Sequence, residues 1–203
     1  MVITNELDLL ESLLDLKQHP SIIELGCGAA QLARQLLARH PACSVTGLEV
    51  DQRQHAKNLA APPQAGLRFV NGGAQQIAFD DSSFDVAIML KSLHHVPMSL
   101  MAQALSEIHR VLCPEGLLYV SEPVFAGALN EVMRLFHDEQ QVRAAAIDAL
   151  AAAVQSGAWQ RVSQVHFDVP VHYDDFADFE RRMVTVTYAD HQLDAATLQA
   201  VRQ

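Results

Sequence analysis

The stretch Ser21-Ile22-Ile23-Glu24-Leu25-Gly26-Cys27-Gly28-Ala29-Ala30 decides how the rest of the chain is read. An apolar run rich in β-branched residues, ending in an acid and then two glycines one residue apart, has the pattern of a buried parallel strand breaking into a tight turn. The pattern predicts a helix from Gln31 to Arg39 directly after it. Gly26 and Gly28 can adopt backbone angles closed to other residues, and without Cβ atoms they let a ligand lie against the main chain. Close packing of strand on helix asks for the same glycines, so the pair by itself leaves both readings open.

Outward from this turn, strands and helices alternate. Asn5 caps an opening helix carrying Leu7, Leu10, Leu13 and Leu14, with Pro20 as its stop. Ser44–Leu48 reads as a second buried strand ending at Glu49, followed by a helix from Gln52 to Ala60. Leu67–Val70 and Val86–Leu90 are the next strands, and an amphipathic helix from Ser99 to Leu112 precedes a fifth, Leu117–Ser121. Val162–Val169 alternates enough to be a sixth. This order predicts an α/β, doubly wound, mostly parallel Rossmann-like sheet with helices on both faces and all ligand loops at one edge. Glu49 then shares that edge with the glycine turn, where its carboxylate can accept both hydroxyls of a ribose. It can equally cap the next helix, and Asp51 is a rival for either role.

The spacing of the glycines narrows the ligand. Gln31 stands where a nicotinamide fingerprint has its third glycine, whereas an acid two residues before the first glycine fits through Glu24, Gly26 and Gly28. That arrangement resembles motif I of the class I S-adenosylmethionine-dependent methyltransferases, with Ala30 in place of the third glycine. Two further stretches resemble the same family: Lys91-Ser92-Leu93-His94-His95-Val96-Pro97, and Arg110-Val111-Leu112-Cys113-Pro114-Glu115-Gly116 before a strand. The resemblance covers residues 21 to 123. It implies S-adenosylmethionine as cofactor and transfer of its methyl group to a small-molecule acceptor.

The cofactor-binding residues implied are Glu24, Gly26, Cys27, Gly28, Glu49, Val50, Gly73, Ala74, Gln75 and Leu90. The segment Asn71–Phe79 resembles the one that wraps the adenine ring, although Gly73 stands where many relatives carry an aspartate; Gly72-Gly73 also reads as a plain flexible turn. No Asn-Pro-Pro-Tyr element of nucleic-acid amino methylation is present. His94, His95 and Glu122 are the candidates to take a proton from the acceptor. Adjacent residues on a helical turn are expected to point apart, with one imidazole packed on the core.

Composition sets the outer limits. The chain has 203 residues, half of them apolar, enough for one domain with a sizeable core. A net charge of -10 with no basic stripe argues against a nucleic-acid backbone as partner. Cys27, Cys43 and Cys113 form neither a metal-type pair nor an even disulfide framework, and the N-terminus lacks a basic n-region. The alanine-rich stretch is short and holds Asp148, so a cytoplasmic protein without a membrane span is expected. His166, His172, Asp174 and Asp175 match no compact ligand set, and no metal is expected from them.

Residues 1–203 are read as one domain: a cofactor-binding core at 21–123, a helical cap at 124–160, and a strand and helices at 161–203. Met183–Tyr188 is β-branched enough for a strand, but Phe176, Phe179, Met183 and Val186 continue a helical stripe from Asp174 to Ala189, and helix is preferred. Leu193, Ala196, Leu198 and Val201 suggest a last short helix. The seventh strand usual in the family is therefore missing from this reading. The sixth strand, with Val165, Phe167 and Val169, pairs directly with the fifth or leaves a C-terminal sheet edge that a second copy can cover. A truncated chain would look the same. The alternative to an enzyme is a non-catalytic S-adenosylmethionine-binding protein or partner subunit. A nicotinamide-dependent reductase is disfavoured by Gln31 and by the lack of a Tyr-x-x-x-Lys element.

Overall fold

In the computed structural model, which describes residues 2–185 and 193–202, a five-stranded sheet carries the chain. A short strand β1 (Val2–Ile3) leads into helix α1 (Glu6–Leu13). The alternation then runs β2 (Ser21–Leu25), α2 (Gln31–Arg39), β3 (Ser44–Glu49), α3 (Gln52–Ala60), β4 (Leu67–Asn71), β5 (Phe84–Leu90), α4 (Met101–Val111) and β6 (Leu112–Ser121). The spatial order is β4-β3-β2-β5-β6, and every pairing within it is parallel. The direction of winding reverses between β2 and β5, which opens a crevice at the carboxyl end of β2, where the glycine turn sits.

The buried strands have two apolar faces, and each is covered. Ile22, Val45, Val86 and Ile88 pack with Leu7 and Leu10 of α1 and with Leu32, Leu36 and Leu37 of α2. On the other face Ile23, Leu25, Ala87 and Met89 pack with Met101, Ala104, Ile108 and Val111 of α4. Successive residues of β2 and β5 thus go to opposite layers, which is why these strands read as continuous apolar runs. Asn5 caps α1 as expected, its side chain accepting from the Asp8 N–H at 2.8 Å. That helix stops at Leu13, well short of Pro20, and a 3₁₀ turn (Leu16–Gln18) fills the gap.

Beyond β6, helices α5 (Ala128–Met133) and α6 (Gln140–Gln155) follow, inside the 124–160 stretch read from the sequence as a helical cap. Helix α6 lies against α4, and Ala146 is wholly buried there. A separate small cluster of Met133, Phe179 and Val201 ties α5 to a short helix α7 (Phe176–Phe179) and to α8 (Ala195–Arg202).

Three expectations need correction. The sixth strand does not join the main sheet: only Phe167–Asp168 (β7) is extended and paired, and its partner is β1. Val162 and Val165 are exposed, so alternation without a neighbouring strand produced no ladder. Strand β6 begins at Leu112, directly at the end of α4, and a bulge carries residues 113–116 between Phe84–Leu112 and Val86–Leu117 pairing. The Asp174–Ala189 helix is real but broken: α7 passes into a π-helical turn, Glu180–Val184. Residues 186–188 of the strand alternative lie outside the described residues.

Candidate active site

The glycine turn is held from four sides. The Gly26 and Cys27 N–H groups both donate to the Leu48 carbonyl of β3, at 2.8 and 3.1 Å. Glu49 Oε2 accepts from the Gly28 N–H at 2.8 Å, and Asn58 Nδ2 of α3 donates to the Gly28 carbonyl at 2.7 Å. Ser92 Oγ, just after β5, donates to the Leu25 carbonyl at 2.7 Å. The turn therefore presents backbone at the crevice without loose groups of its own.

The two glycines serve different needs. At Gly26, with φ +70°, an added Cβ would come within 2.8 Å of Ser92 Cβ, so its bareness is a packing requirement. At Gly28, with φ +52°, an added Cβ would meet nothing within 4 Å and would project into open space. The packing reading holds at Gly26, whereas at Gly28 the open space leaves room for a ligand against the main chain. Ala30 takes the left-handed conformation at φ 55° and is fully buried, so the missing third glycine is replaced at a conformational cost rather than by a change of turn.

Glu49 is buried, and its other oxygen, Oε1, accepts from the Asp51 N–H at 2.9 Å. Helix α3 is capped by Asp51, whose Oδ1 accepts from the Arg53 N–H. The capping role thus falls to Asp51, and Glu49 stands as a carboxylate fixed at the crevice. Glu24 is 3 % exposed, and its Oε2 has no hydrogen-bond partner among the described residues. Burial pushes its carboxyl up to about 8, so it is protonated at neutral pH. Burial, with Glu24 and Glu49 nearby, also raises the Cys27 thiol, which rules it out as a nucleophile.

Of the other cofactor candidates, Leu90 is half-buried at the end of β5, and Val50 is largely exposed just past β3. The adenine-type loop is anchored to β3: the Gly72 N–H and Asn71 Nδ2 both donate to the Glu49 carbonyl, at 3.1 and 2.7 Å. Ala74 is buried. The Gln75 amide folds so tightly over Gly73 that it occupies the space in which an aspartate side chain there would begin. A depression of about 800 Å³ adjoins this loop on the α4 side, lined by Gly73, Gln75, Gln103, Glu107 and Arg110, and it does not include the glycine turn.

The second half of the site lies past the ends of β5 and β6. A 3₁₀ turn, Leu93–His95, places the two histidines. They do not point apart as expected: the ring centroids are 4.1 Å apart, with His94 buried and His95 exposed on its outer side. His94 Nδ1 is hydrogen-bonded to Glu122 Oε2, while Glu122 Oε1 accepts from the Leu93 N–H at 2.8 Å. His94 Nε2 lies 3.5 Å from Glu139 Oε1, just before α6. Glu139 in turn meets His137 at 2.7 Å and Arg143 at 2.6 Å.

Burial works against a charge on His94, but hydrogen bonds to Glu122 and Glu139 outweigh it and push its pKa up to about 9. Glu139, despite its own burial, is held far below the usual carboxylate range by His137, His94 and Arg143. Loss of hydration on its inner side and the His94 charge lower His95 to about 4, so this imidazole is neutral at pH 7.

Known proteins share this architecture. Residues 23–120 match the family described as "Methyltransferase domain". This segment is a class I methyltransferase domain. Demethylmenaquinone methyltransferase of Chlorobaculum tepidum is 31% identical over 118 residues, covering 58% of this chain and 46% of that protein. An S-adenosylmethionine-dependent methyltransferase from Mesorhizobium loti superposes with a TM-score of 0.50 at 27% identity, over 57% of this chain and 52% of that one. The [4+2]-cyclase SpnF gives 0.52 at 30% identity, over 60% and 45%. The chain spans about half the length, or less, of curated relatives such as these.

S-adenosylmethionine is the cofactor of the methyltransferase domain, and the residues at the crevice fit it. Glu49 offers a fixed carboxylate to a diol, Gly28 leaves room against the main chain, and the orphaned Glu24 oxygen suits a cationic group. Asn58 and Glu139 escaped the sequence reading, and Ser92 was quoted there without a role. Asn58 sits in a helix whose remaining residues face solvent or the sheet rim, and nothing in its spacing marks it as a pin for Gly28. No helix among the described residues is long and apolar enough to cross a membrane.

Proposed function

We propose that the chain transfers a methyl group from S-adenosylmethionine to a small-molecule acceptor that enters between the ends of β5 and β6 and the start of α6. The observation that carries this reading is the continuity of the two halves. Ser92, which packs on Gly26, is followed within three residues by the His94–Glu122 pair and by His95. Bound in the crevice, S-adenosylmethionine supplies an electrophilic methyl group on sulfur. The protein then has to orient the acceptor and keep water out, which are the dominant contributions in such a displacement.

The three candidates for proton transfer take separate roles in this proposal. His94 and Glu122 are already joined as an ion pair, so neither is free to act as base, and they fix the shape of the acceptor wall. His95, neutral and partly open, is the group that touches the acceptor and receives its proton when the nucleophile is acidic. As one unit, residues 124–160 would then cap the acceptor, with 161–203 outside the chemistry.

A second reading, a cofactor binder that transfers no methyl group, is favoured by one observation: a protein with a similar fold is named a [4+2]-cyclase and not a methyltransferase, so the fold alone does not fix the activity. Calorimetry against S-adenosylmethionine, its demethylated product and NADH, followed by mass spectrometry of a metabolite extract after incubation, separates the two. Formation of the demethylated product together with a methylated metabolite supports transfer. Tight cofactor binding with no turnover across the extract supports the binder. Binding of NADH alone overturns both.

A further inference from the structure

The network at the start of α6 holds more than an acceptor wall needs. His94, His95 and Glu139 each direct a ligand-type atom to one place, and these atoms all lie within 4.8 Å of one another. We propose that this cluster is a binding site for a divalent transition-metal ion of the zinc class, held by His94 Nε2, a His95 ring nitrogen and Glu139 Oε1. The proposal does not rest on methyl transfer, and the proton-accepting role given above to His95 belongs to the ion-free site, because a bound ion takes the lone pair that would receive the proton.

Geometry supports it first. A tetrahedral ion with bonds of about 2.1 Å sets its ligand atoms roughly 3.4 Å apart. His94 Nε2 and Glu139 Oε1 are 3.5 Å apart, so that edge of the tetrahedron is already in place. The third ligand, His95, has its outer side exposed and sits on a short turn, and a shift of about an ångström brings it in.

The surroundings support it second. Ligating histidines commonly donate their other ring N–H to a carboxylate, which fixes the tautomer and turns the ring. His94 has that arrangement through Nδ1 and Glu122, whose side chain is 2 % exposed and is itself held by the Leu93 N–H. Glu139 has the equivalent support: Arg143 binds its second oxygen, Oε2, through Nη2 at 2.6 Å and Nε at 3.0 Å, leaving Oε1 to the imidazoles. His137, 2.7 Å from the same Oε1, steadies the carboxylate, and the fourth position is left to water. Two imidazoles and one carboxylate with one position to fill suit zinc, cobalt or nickel rather than magnesium or calcium. On binding, His94 keeps its Nδ1 proton toward Glu122 and gives up the Nε2 proton to solvent.

The test uses the untagged full chain, stripped of metal by a chelator and then titrated with Co²⁺ followed by Zn²⁺. One equivalent of Co²⁺ is expected to give the visible absorption of a tetrahedral site, and Zn²⁺ is expected to displace it. His95→Ala, at an exposed position, should weaken binding at least tenfold while the circular dichroism spectrum and Tm stay as in the wild type. His172→Ala, at an exposed His172–Asp174 pair elsewhere, should change nothing. No stoichiometric binding, wild-type affinity in His95→Ala, or loss of binding in His172→Ala would each overturn the site. The readout is the metal alone, so its failure leaves the cofactor reading untouched.

Discussion

Glu24→Gln should convert a pH-sensitive protein into one that is less so. Glu24 keeps its proton in the folded chain up to about pH 8, whereas the unfolded chain releases it near the ordinary value of 4.5. Below 4.5 both states hold the proton and the group costs nothing; as pH rises toward 8 only the unfolded state loses it, so stability falls by about 1.4 kcal/mol per pH unit. Between pH 5 and 8 this amounts to roughly 3–4 kcal/mol, a large share of the stability of an ordinary domain. Glutamine has the same shape and no charge to bury, so the variant should lack this slope, though its amide exchanges one buried polar group for another and leaves a modest constant cost. The assay is urea unfolding at pH 5, 6, 7 and 8, followed by circular dichroism and compared as the difference between the two proteins. A difference that changes by less than about 1 kcal/mol across that range would refute the burial argument. The same proton offers a second readout. About nine-tenths of the free protein carries it at pH 7, and a cationic cofactor group set against the orphaned oxygen would expel it, visible as buffer-dependent heats of binding.

Glu49→Ala should weaken S-adenosylmethionine binding more than tenfold, since a charge-assisted contact is worth about 1.5–3 kcal/mol; calorimetry near wild-type affinity would reject Glu49 as ribose ligand. Gly28→Val should abolish binding at a cost of only about 1–2 kcal/mol in stability, because the new side chain projects into open space from a left-handed backbone. Gly26→Ala should instead lower Tm clearly, because its methyl meets Ser92; equal thermal shifts in the two variants would contradict the division of roles. Tyr119→Phe removes the 2.6 Å hydrogen bond that ties β6 to Glu6 of α1 and should destabilise by about 1–2 kcal/mol, read from the urea midpoint.

What could be read from the sequence was whatever repeats locally. The strands β2 to β5 and the helices α2 and α3 follow from apolar runs and their punctuation, because both faces of the sheet are covered and nothing in the tertiary structure contradicts the local pattern. Val162–Val169 failed for the converse reason: a strand needs a neighbour, and alternation does not say whether one exists. On the site, Glu49 was legible because a strand end is a fixed address. The partners of His94 were only half legible. Glu122 follows β6 at a predictable place, but Glu139 arrives from beyond two chain reversals, and no spacing rule joins positions 94 and 139. Gln75 over Gly73 was hidden likewise, since a side chain that fills the room left by a missing one has no signature in composition.

The single carboxylate of Glu139, gripping His94 on one side and His137 and Arg143 on the other, has a consequence for how the molecule breathes. Helix α6 cannot lift from α4 and the Leu93–His95 turn without stripping an imidazolium of half its counter-charge in a dry setting. Nor can the Leu93–His95 turn unwind while α6 stays docked. The two segments, distant in sequence, form one cooperative opening unit, and their amide hydrogens exchange with solvent on a shared clock.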